Sequence, residues 1–407
     1  MRIPPYSLGF TVLLGALSAL PPLSIDMGLP ALALIGTSLN AAPAVTGLTL
    51  SLFMAGFAIA QLAFGPLSDR YGRRPVLLVG CGLFTIASFV CAVAPSIEML
   101  VFWRFVEGCG AGAGTVLALA IVRDLFEGSA ARAKLSYVNL VVTVAPMVAP
   151  TIGGGVLAIA HWRAIYGLLA IGGVALTSVV ALGLGETLLN PDPQALAPNQ
   201  LMRNYARVLS NRLCFGYALI NGLSFGCMFA YVAGSPLVMT QVLGVSTTVY
   251  ALLFASTAFG IMAGSFVNGS LSTHGVPPSR LLTTGLIFAS LSAVTLLSLS
   301  ITNHAQVMTL MPFLVLNTFC LGLIVPNATH GSLQPMPEIA GIAAAVVGFV
   351  QMMLGGTLAS AIVAFLYDGR TATAMTGVMT LFAIASLAVY IRMVRPAEKH
   401  VVYESKA

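Results

Sequence analysis

The sequence predicts an all-α polytopic membrane protein, with twelve transmembrane helices in two six-helix halves. Composition is the first reason. Of 407 residues, 58% are hydrophobic and 7% charged, where soluble domains carry about 25% charged residues. The second is the gathering of apolar residues into twelve runs, each near the roughly 20 residues that a helix needs to cross a bilayer. The third is the placement of the cations, which collect in alternate connections between those runs.

In chain order the runs occupy 7–33, 44–67, 76–95, 98–121, 134–158, 164–185, 212–238, 247–271, 280–301, 306–330, 340–366 and 371–394. They are too long for the strands of a membrane barrel, which need only about 9–11 residues of alternating polarity. Arg2 and the stretch Ala31-Leu-Ala33 give the first run a likeness to a cleaved leader. A leader core spans only about 7–15 residues, and this run also holds an acid, Asp26. It is expected to stay as the first span. The six cysteines, Cys81, Cys91, Cys109, Cys214, Cys227 and Cys320, sit in or at the ends of spans without a Cys-x-x-Cys pair. They read as small apolar packers, not as a metal site or a disulfide framework.

With the N-terminus inside, Arg2, Arg70, Arg73, Arg74, Arg123, Arg132, Lys134, Arg203, Arg207, Arg212, Arg280, Arg392, Arg395, Lys399 and Lys406 are all cytoplasmic. Only Arg163 and Arg370 fall outside, and Arg104 lies within a span. This is the positive-inside bias. It puts both termini in the cytoplasm and supports an even number of crossings. The net charge of +6 is thus an orientation signal, and no nucleic-acid partner is expected. Residues 1–185 are expected to form an N-terminal half and 212–394 a C-terminal half. The segment 186–211, with Pro191, Asp192, Pro193, Pro198 and Asn199, reads as a cytoplasmic linker, and 395–407 as a cytoplasmic tail.

The connection between the second and third runs, Gly65-Pro-Leu-Ser-Asp-Arg-Tyr-Gly-Arg-Arg-Pro75, packs Asp69, Arg70, Arg73 and Arg74 into one tight turn. Three cations account for topology, but topology alone does not require Asp69 or Gly72. A fainter copy without the aspartate, Gly269-Ser-Leu-Ser-Thr-His-Gly275 and then Arg280, takes the same place between the eighth and ninth runs.

The first loop fits G-x-L-[AS]-D-R-x-G-R-[RK] and resembles the major facilitator superfamily. Other stretches narrow the resemblance: Ile25-Asp-Met-Gly-Leu-Pro-Ala31, Arg104-Phe-Val-Glu-Gly108, Val122-Arg-Asp124, Ala149-Pro-Thr-Ile-Gly-Gly154, Ala230-Tyr-Val-Ala-Gly-Ser-Pro236, Pro326-Asn-Ala-Thr329 and Gly348-Phe-Val-Gln351. They are similar to the bicyclomycin-resistance (Bcr/CflA) type of drug:proton antiporter, through nearly the whole chain. The resemblance implies the major facilitator fold with parallel six-helix repeats, in a bacterial inner membrane. It also implies a monomer without a cofactor that exports small amphipathic drugs or metabolites, phenicol- or bicyclomycin-like, in exchange for protons. The alternatives are a proton-coupled importer of a small nutrient on the same fold and, more remotely, a non-transporting membrane sensor.

Few residues carry the chemistry. Asp26 is the only acid in the first span. A charge inside the bilayer costs about 2.5–3.5 kcal/mol on insertion scales, so such groups face cavities and mark ion or substrate paths. Pro22 and Pro30 flank Asp26 and are expected to kink the helix, freeing carbonyls to line a cavity. Arg104 is the only intramembrane base, and Glu107 stands at i+3, where helical neighbours meet. The bland reading ties Asp26 to Arg104. The resemblance instead gives Asp26 and Arg104 to proton coupling. Relatives usually carry glutamine in place of Glu107, so Glu107 either neutralises Arg104 or adds a second proton site.

The resemblance further makes Asp69, Arg70, Arg73 and Asp124 a cytoplasmic gate, with Asp69 meeting the start of the eleventh span around Glu338–Ile342 in one state. In the fifth span Pro146, Pro150, Gly153 and Gly154, with Gly155, resemble the antiporter signature G-P-x-x-G-G, Ala149 replacing its first glycine. Close helix packing accounts for the same residues. In the second half Asn221, Phe225, Asn317 and Gln351, with Tyr231 and Asn327, give the mixture of apolar and polar groups that lines a drug cavity. Such residues also bond helices together. Enzyme chemistry finds no foothold: there is no G-x-x-x-x-G-K-[ST] loop. His161, His274, His304, His330 and His400 are scattered near loops without metal-ligand spacing.

Overall fold

The computed structural model describes residues 3–398; Arg2 and, of the expected tail, residues 399–407 with Lys399, His400 and Lys406 lie outside them, while residues 395–398 of that tail continue the last helix. Among the described residues there are 12 helices long and apolar enough to cross a membrane, and no strand. They are α1 (Leu8–Ser38), α2 (Pro43–Tyr71), α3 (Arg73–Val93), α4 (Ile97–Leu125), α5 (Gly128–Ile159) and α6 (Arg163–Gly183), then α7 (Arg212–Val242), α8 (Thr247–Thr273), α9 (Pro278–Ile301), α10 (Val307–Leu333), α11 (Ala340–Leu366) and α12 (Thr373–Glu398). A shorter linker helix covers Pro198–Ser210. The chain divides into two compact units between Leu201 and Met202, inside that linker helix. The first unit holds α1–α6 and the second α7–α12.

Helix starts follow capping chemistry, in which a short polar side chain takes an otherwise unpaired N–H. Ser7 accepts from the Phe10 N–H at 3.2 Å, and Ser96 from Met99 at 3.4 Å. Asn211 Oδ1 accepts from Cys214 at 2.9 Å. α2 opens on Pro43, whose missing N–H costs nothing in a first turn. The α2–α3 turn is a single residue, Gly72, at φ 96°, a conformation that a side chain resists.

The helices outrun the apolar runs. α2 continues to Tyr71, α4 to Leu125, and α5 begins at Gly128, so Asp69, Arg70, Arg123, Asp124, Arg132 and Lys134 all stand on helices. An apolar run measures the lipid slab, whereas a helix continues as long as its backbone ladder does. α1 is interrupted: its regular helix ends at Asp26. One turn of 3-10 helix follows at Leu29–Ala31, and regular helix resumes from Leu32 to Ser38. Pro21 and Pro22 lie inside the regular part; the break comes beyond them, at Met27 and Gly28.

Lipid supplies no hydrophobic drive between helices, so small residues that allow close approach hold each half together. A Cβ on Gly56 would lie 2.0 Å from the Phe105 carbonyl oxygen, and one on Gly108 2.0 Å from that of Phe53; α2 and α4 thus touch backbone to backbone. The second half repeats the device. A Cβ on Gly264 would meet the Phe319 oxygen at 2.0 Å, and one on Gly322 the Ile261 oxygen at 2.5 Å, joining α8 to α10. Gly110 and Gly114 press α4 against Phe84 of α3 and Leu17 of α1 as well, which makes α4 the hub of its half.

Candidate functional site

The break in α1 leaves Asp26 as the last residue of regular helix. It is 5% exposed, and among the described residues no donor or cation reaches its carboxylate. Arg104 is occupied elsewhere. Its Nη1 lies 2.8 Å from Glu107 Oε2 and donates to Ser24 Oγ at 2.6 Å, while Nε donates to the Thr49 carbonyl at 3.3 Å. The Phe53 ring lies 4.3 Å from the guanidinium carbon and the Tyr166 ring 5.6 Å from it, both within cation–π range.

Glu107 is completely buried and well supplied with donors. Ser24 Oγ reaches Oε1 at 2.8 Å, Ser88 Oγ at 3.0 Å, and the Cys91 thiol lies 3.9 Å from Oε2. The tether read between Asp26 and Arg104 is therefore replaced by a pair within α4. The i,i+3 spacing holds the two groups adjacent on one helix face, and the hydroxyls satisfy what the ion pair leaves over. A buried ion pair is tolerated only on those terms. Ser24, Ser88 and Thr49 were not singled out in the sequence, where a serine or threonine in a span is common and its partners are remote.

α5 meets the same place. A Cβ on Gly153 would lie 2.2 Å from the Met27 carbonyl oxygen, so the α5 backbone rests on the break that follows Asp26. Pro150 is buried beside it, with Pro146 one turn earlier. Gly154 and Gly155 face open space. Of the signature, Gly153 alone has its close approach within this half.

The charged loop gathers around Arg73. Its Nε and Nη2 bind Asp124 at 2.8 and 3.3 Å, a forked geometry that only arginine offers. Nη1 pairs with Asp69 and donates to Ser68 Oγ at 2.6 Å. Thr187 Oγ1 adds a bond to Asp124 at 3.2 Å. Arg70 stands outside the cluster, over the Tyr71 ring at 5.4 Å. The residue that the sequence reading missed is Glu186. It accepts from the Arg73 and Arg74 N–H groups at 2.9 and 3.2 Å, an anion at the positive end of α3. Further along the linker, Asp192 N–H donates to the Asp69 carbonyl at 2.9 Å. Glu338, in the other unit, pairs with Arg207 at 3.3 Å on an exposed surface.

In the second unit, Asn221 is buried and donates to Thr329 Oγ1 at 3.1 Å, leaving its own Oδ1 without a partner. Phe225 stacks on Phe229 at 4.8 Å and lies against Gly355. Gln351, half-buried, begins a π-helical stretch, Gln351–Ala359, of the kind that often marks functional positions in helices. Asn317 is turned inward: Nδ2 donates to the Ala289 carbonyl at 3.1 Å and Oδ1 accepts from Cys227 at 3.3 Å. The cavity beside it measures about 10 Å³, room for one water at most.

The family model described as Major Facilitator Superfamily matches residues 14–360. The chain is 34% identical over 386 residues, 94% of this chain and 95% of the relative, to the uncharacterized MFS-type transporter YdgK of Bacillus subtilis. To the bicyclomycin resistance protein homolog of Haemophilus influenzae it is 29% identical over 384 residues, 94% of this chain and 95% of the relative. In fold it is similar to a bacterial homolog of the human lysosomal transporter Spinster, with TM-score 0.74 at 14% identity over 96% of this chain and 95% of that one.

Proposed function

The chain belongs to the Major Facilitator Superfamily, and from that membership we propose that it exports small amphipathic compounds from the cytoplasm in exchange for protons. The observation that carries this reading is Asp26, a buried carboxylate with no fixed counter-charge, at a break in the first helix of a twelve-span protein. Export, and not import, is supported by the relative named for bicyclomycin resistance and by the glycine–proline stretch of α5.

In the proposed cycle, protons arriving from outside neutralise Asp26 and release the compound bound there; deprotonation toward the cytoplasm readies it again. Each unit of pH difference is worth about 1.4 kcal/mol, so one proton per turn sustains roughly tenfold accumulation per unit. Glu107 serves as counter-ion to Arg104, and Gly153 supports the break beside Asp26. The Asp69–Arg73–Asp124 cluster acts as the cytoplasmic latch, with Arg70 contributing to topology. Asn221, Phe225 and Gln351 supply substrate contacts, while Asn317 braces its own half. The cation distribution supports both termini in the cytoplasm, in a bacterial inner membrane.

The test uses everted vesicles with an imposed pH gradient and a panel of phenicols, bicyclomycin, sulfonamides and cationic dyes. At least one class should collapse the gradient, and Asp26→Asn should abolish that response. Full proton exchange in Asp26→Asn removes Asp26 from the mechanism. In intact cells a protonophore should raise the accumulation of an exported compound; lowered accumulation points to import instead.

A further inference from the structure

Between Asp192 and Glu338 the chain carries no Asp or Glu. Its cations in that stretch gather at the junction of the linker helix and α7, as Arg203, Arg207 and Arg212. The linker helix ends at Ser210, and α7 opens at Arg212. α7 has 31 residues, about 46 Å of helix, which matches a bilayer measured to its headgroups, about 40–45 Å. The linker helix is therefore held at headgroup level. By the cation distribution this is the cytoplasmic surface.

The helix has three distinct sides. Val208 turns inward and is fully buried. Met202 and Leu209, seven residues and almost two turns apart, share one flank and stay 67% and 47% exposed. Arg203 and Arg207, four residues apart, form an exposed row beside them. Arg203 and Arg212 have no counter-ion among the described residues. Arg207 reaches Glu338 alone, at 3.3 Å, with both side chains mostly in solvent, where an ion pair holds only weakly. A merely solvated linker would leave no reason for an apolar flank. An apolar flank beside a cation row, on a helix in the headgroup plane, is the pattern of an interfacial helix.

We propose that the linker helix is a docking surface for anionic phospholipid of the cytoplasmic leaflet. Arg203 and Arg207 hold the headgroup phosphate, and Met202 and Leu209 enter the upper acyl region. The phosphate competes with Glu338 for Arg207, so lipid binding releases the carboxylate that precedes α11. The occupant is a lipid, because a free phosphate would satisfy the arginines and leave the apolar flank uncovered.

The full chain in phosphatidylcholine vesicles tests this, with Met202→Trp as a reporter and lipids brominated on the acyl chain as quenchers. Quenching of the unaltered chain, from Trp103 and Trp162, is subtracted. Brominated phosphatidylglycerol should quench the reporter at a mole fraction on the order of tenfold lower than brominated phosphatidylcholine. Adding Arg203→Gln and Arg207→Gln should remove that preference. Adding Glu338→Gln instead should sharpen it about twofold. Inorganic phosphate, against chloride at equal ionic strength, should leave the quenching unchanged.

Equal quenching by the two lipids overturns the headgroup site, and a reporter that neither lipid quenches overturns docking altogether. Displacement by inorganic phosphate makes the row a site for free anions and overturns the lipid assignment. An unchanged preference in Glu338→Gln overturns the competition for Arg207. The unaltered chain supplies a second measurement that needs no variant to fold. Extracted from an equimolar mixture of the two lipids, it should retain phosphatidylglycerol in native mass spectra, and retention of both alike overturns the proposal.

Discussion

The two halves share a scaffold and differ in what they bury. α2 with α4, and α8 with α10, use the same mutual approach of glycine to carbonyl oxygen. Inside that frame the first half carries an ion pair and a lone acid, whereas the interior polar groups of the second are neutral. Asn317 bonds Ala289 and Cys227, and Asn327 donates to Asn268 at 2.6 Å. Thr376 donates to Ser300 at 3.1 Å and Thr380 to the Ala293 carbonyl at 2.8 Å. An amide or hydroxyl can be satisfied by a neighbouring backbone, but an ion needs an opposite ion as well. The contrast teaches that duplication preserved the packing and loaded the charge chemistry onto one copy.

The largest expected effect tests that division directly. Arg104→Leu leaves Glu107 buried without its partner and should cost about 3–5 kcal/mol, read as a lower melting temperature in detergent. Replacing both groups by leucine should recover most of that loss. A double variant as damaged as the single one would show that the pair is not a closed unit. In the second half, Asn317→Ala removes the bonds to the Ala289 carbonyl and the Cys227 thiol and should cost only about 1–3 kcal/mol. Its proton flux, measured against pH, should not move; a shifted profile would put chemistry in both halves and break the contrast.

The shared scaffold is tested next. Gly108→Ala and Gly264→Ala each force a methyl to within 2.0 Å of a backbone oxygen, and each should cost about 1–3 kcal/mol. A large disparity between them would mean that the repeated contact no longer bears equal weight. Neighbouring glycines on α5 sharpen this further. Gly154→Ala meets nothing within 4 Å and should be neutral or stabilising by up to about 1 kcal/mol. Gly153→Ala presses on the Met27 carbonyl and should slow proton exchange.

The smallest effect lies in the loop ahead of α12. Asp368 accepts from the Arg370 and Thr371 N–H groups, each at 2.9 Å, and these bonds hold its carboxyl below the usual range. A depressed pKa contributes stability above the unfolded value, near 3.9, and loses it as pH falls through the folded one. The group is almost fully solvated, so Asp368→Asn should differ slightly from wild type in melting temperature at pH 6, and the difference should shrink as the carboxylate is protonated in acid.

Most of the fold was legible because a bilayer imposes its thickness on the sequence. The exceptions sit where lipid is not the constraint. The C-terminal ends of α2 and α4 and the start of α5 run past the apolar stretches, because Asp69, Arg123 and Arg132 are as helical as their neighbours once outside the lipid. Of the two prolines expected to kink α1, Pro22 continues the helix and the break comes just ahead of Pro30, where Met27 still bonds Leu23 but Gly28 turns to Ile25. Within the site, the i,i+3 spacing put Glu107 beside Arg104 but left Asp26 as a rival partner. Ser24, Ser88 and Glu186 do not, since each is identified by a partner on another helix. The charges within the spans and in the α2–α3 turn were legible; the hydroxyls and the linker carboxylate that position them were not.

Glu186 has a consequence for how the protein is made. The first two amide groups of α3 wait for a carboxylate that lies 113 and 112 positions later in the chain. At roughly 5–20 residues per second, a ribosome needs on the order of ten seconds to deliver it. During that interval four helices, α3 to α6, must enter the lipid while the arginine-rich hairpin stays hydrated and unfastened. Completion of the sixth helix therefore fastens the start of the third, making the nascent amino-terminal bundle a clasp whose hook is translated last.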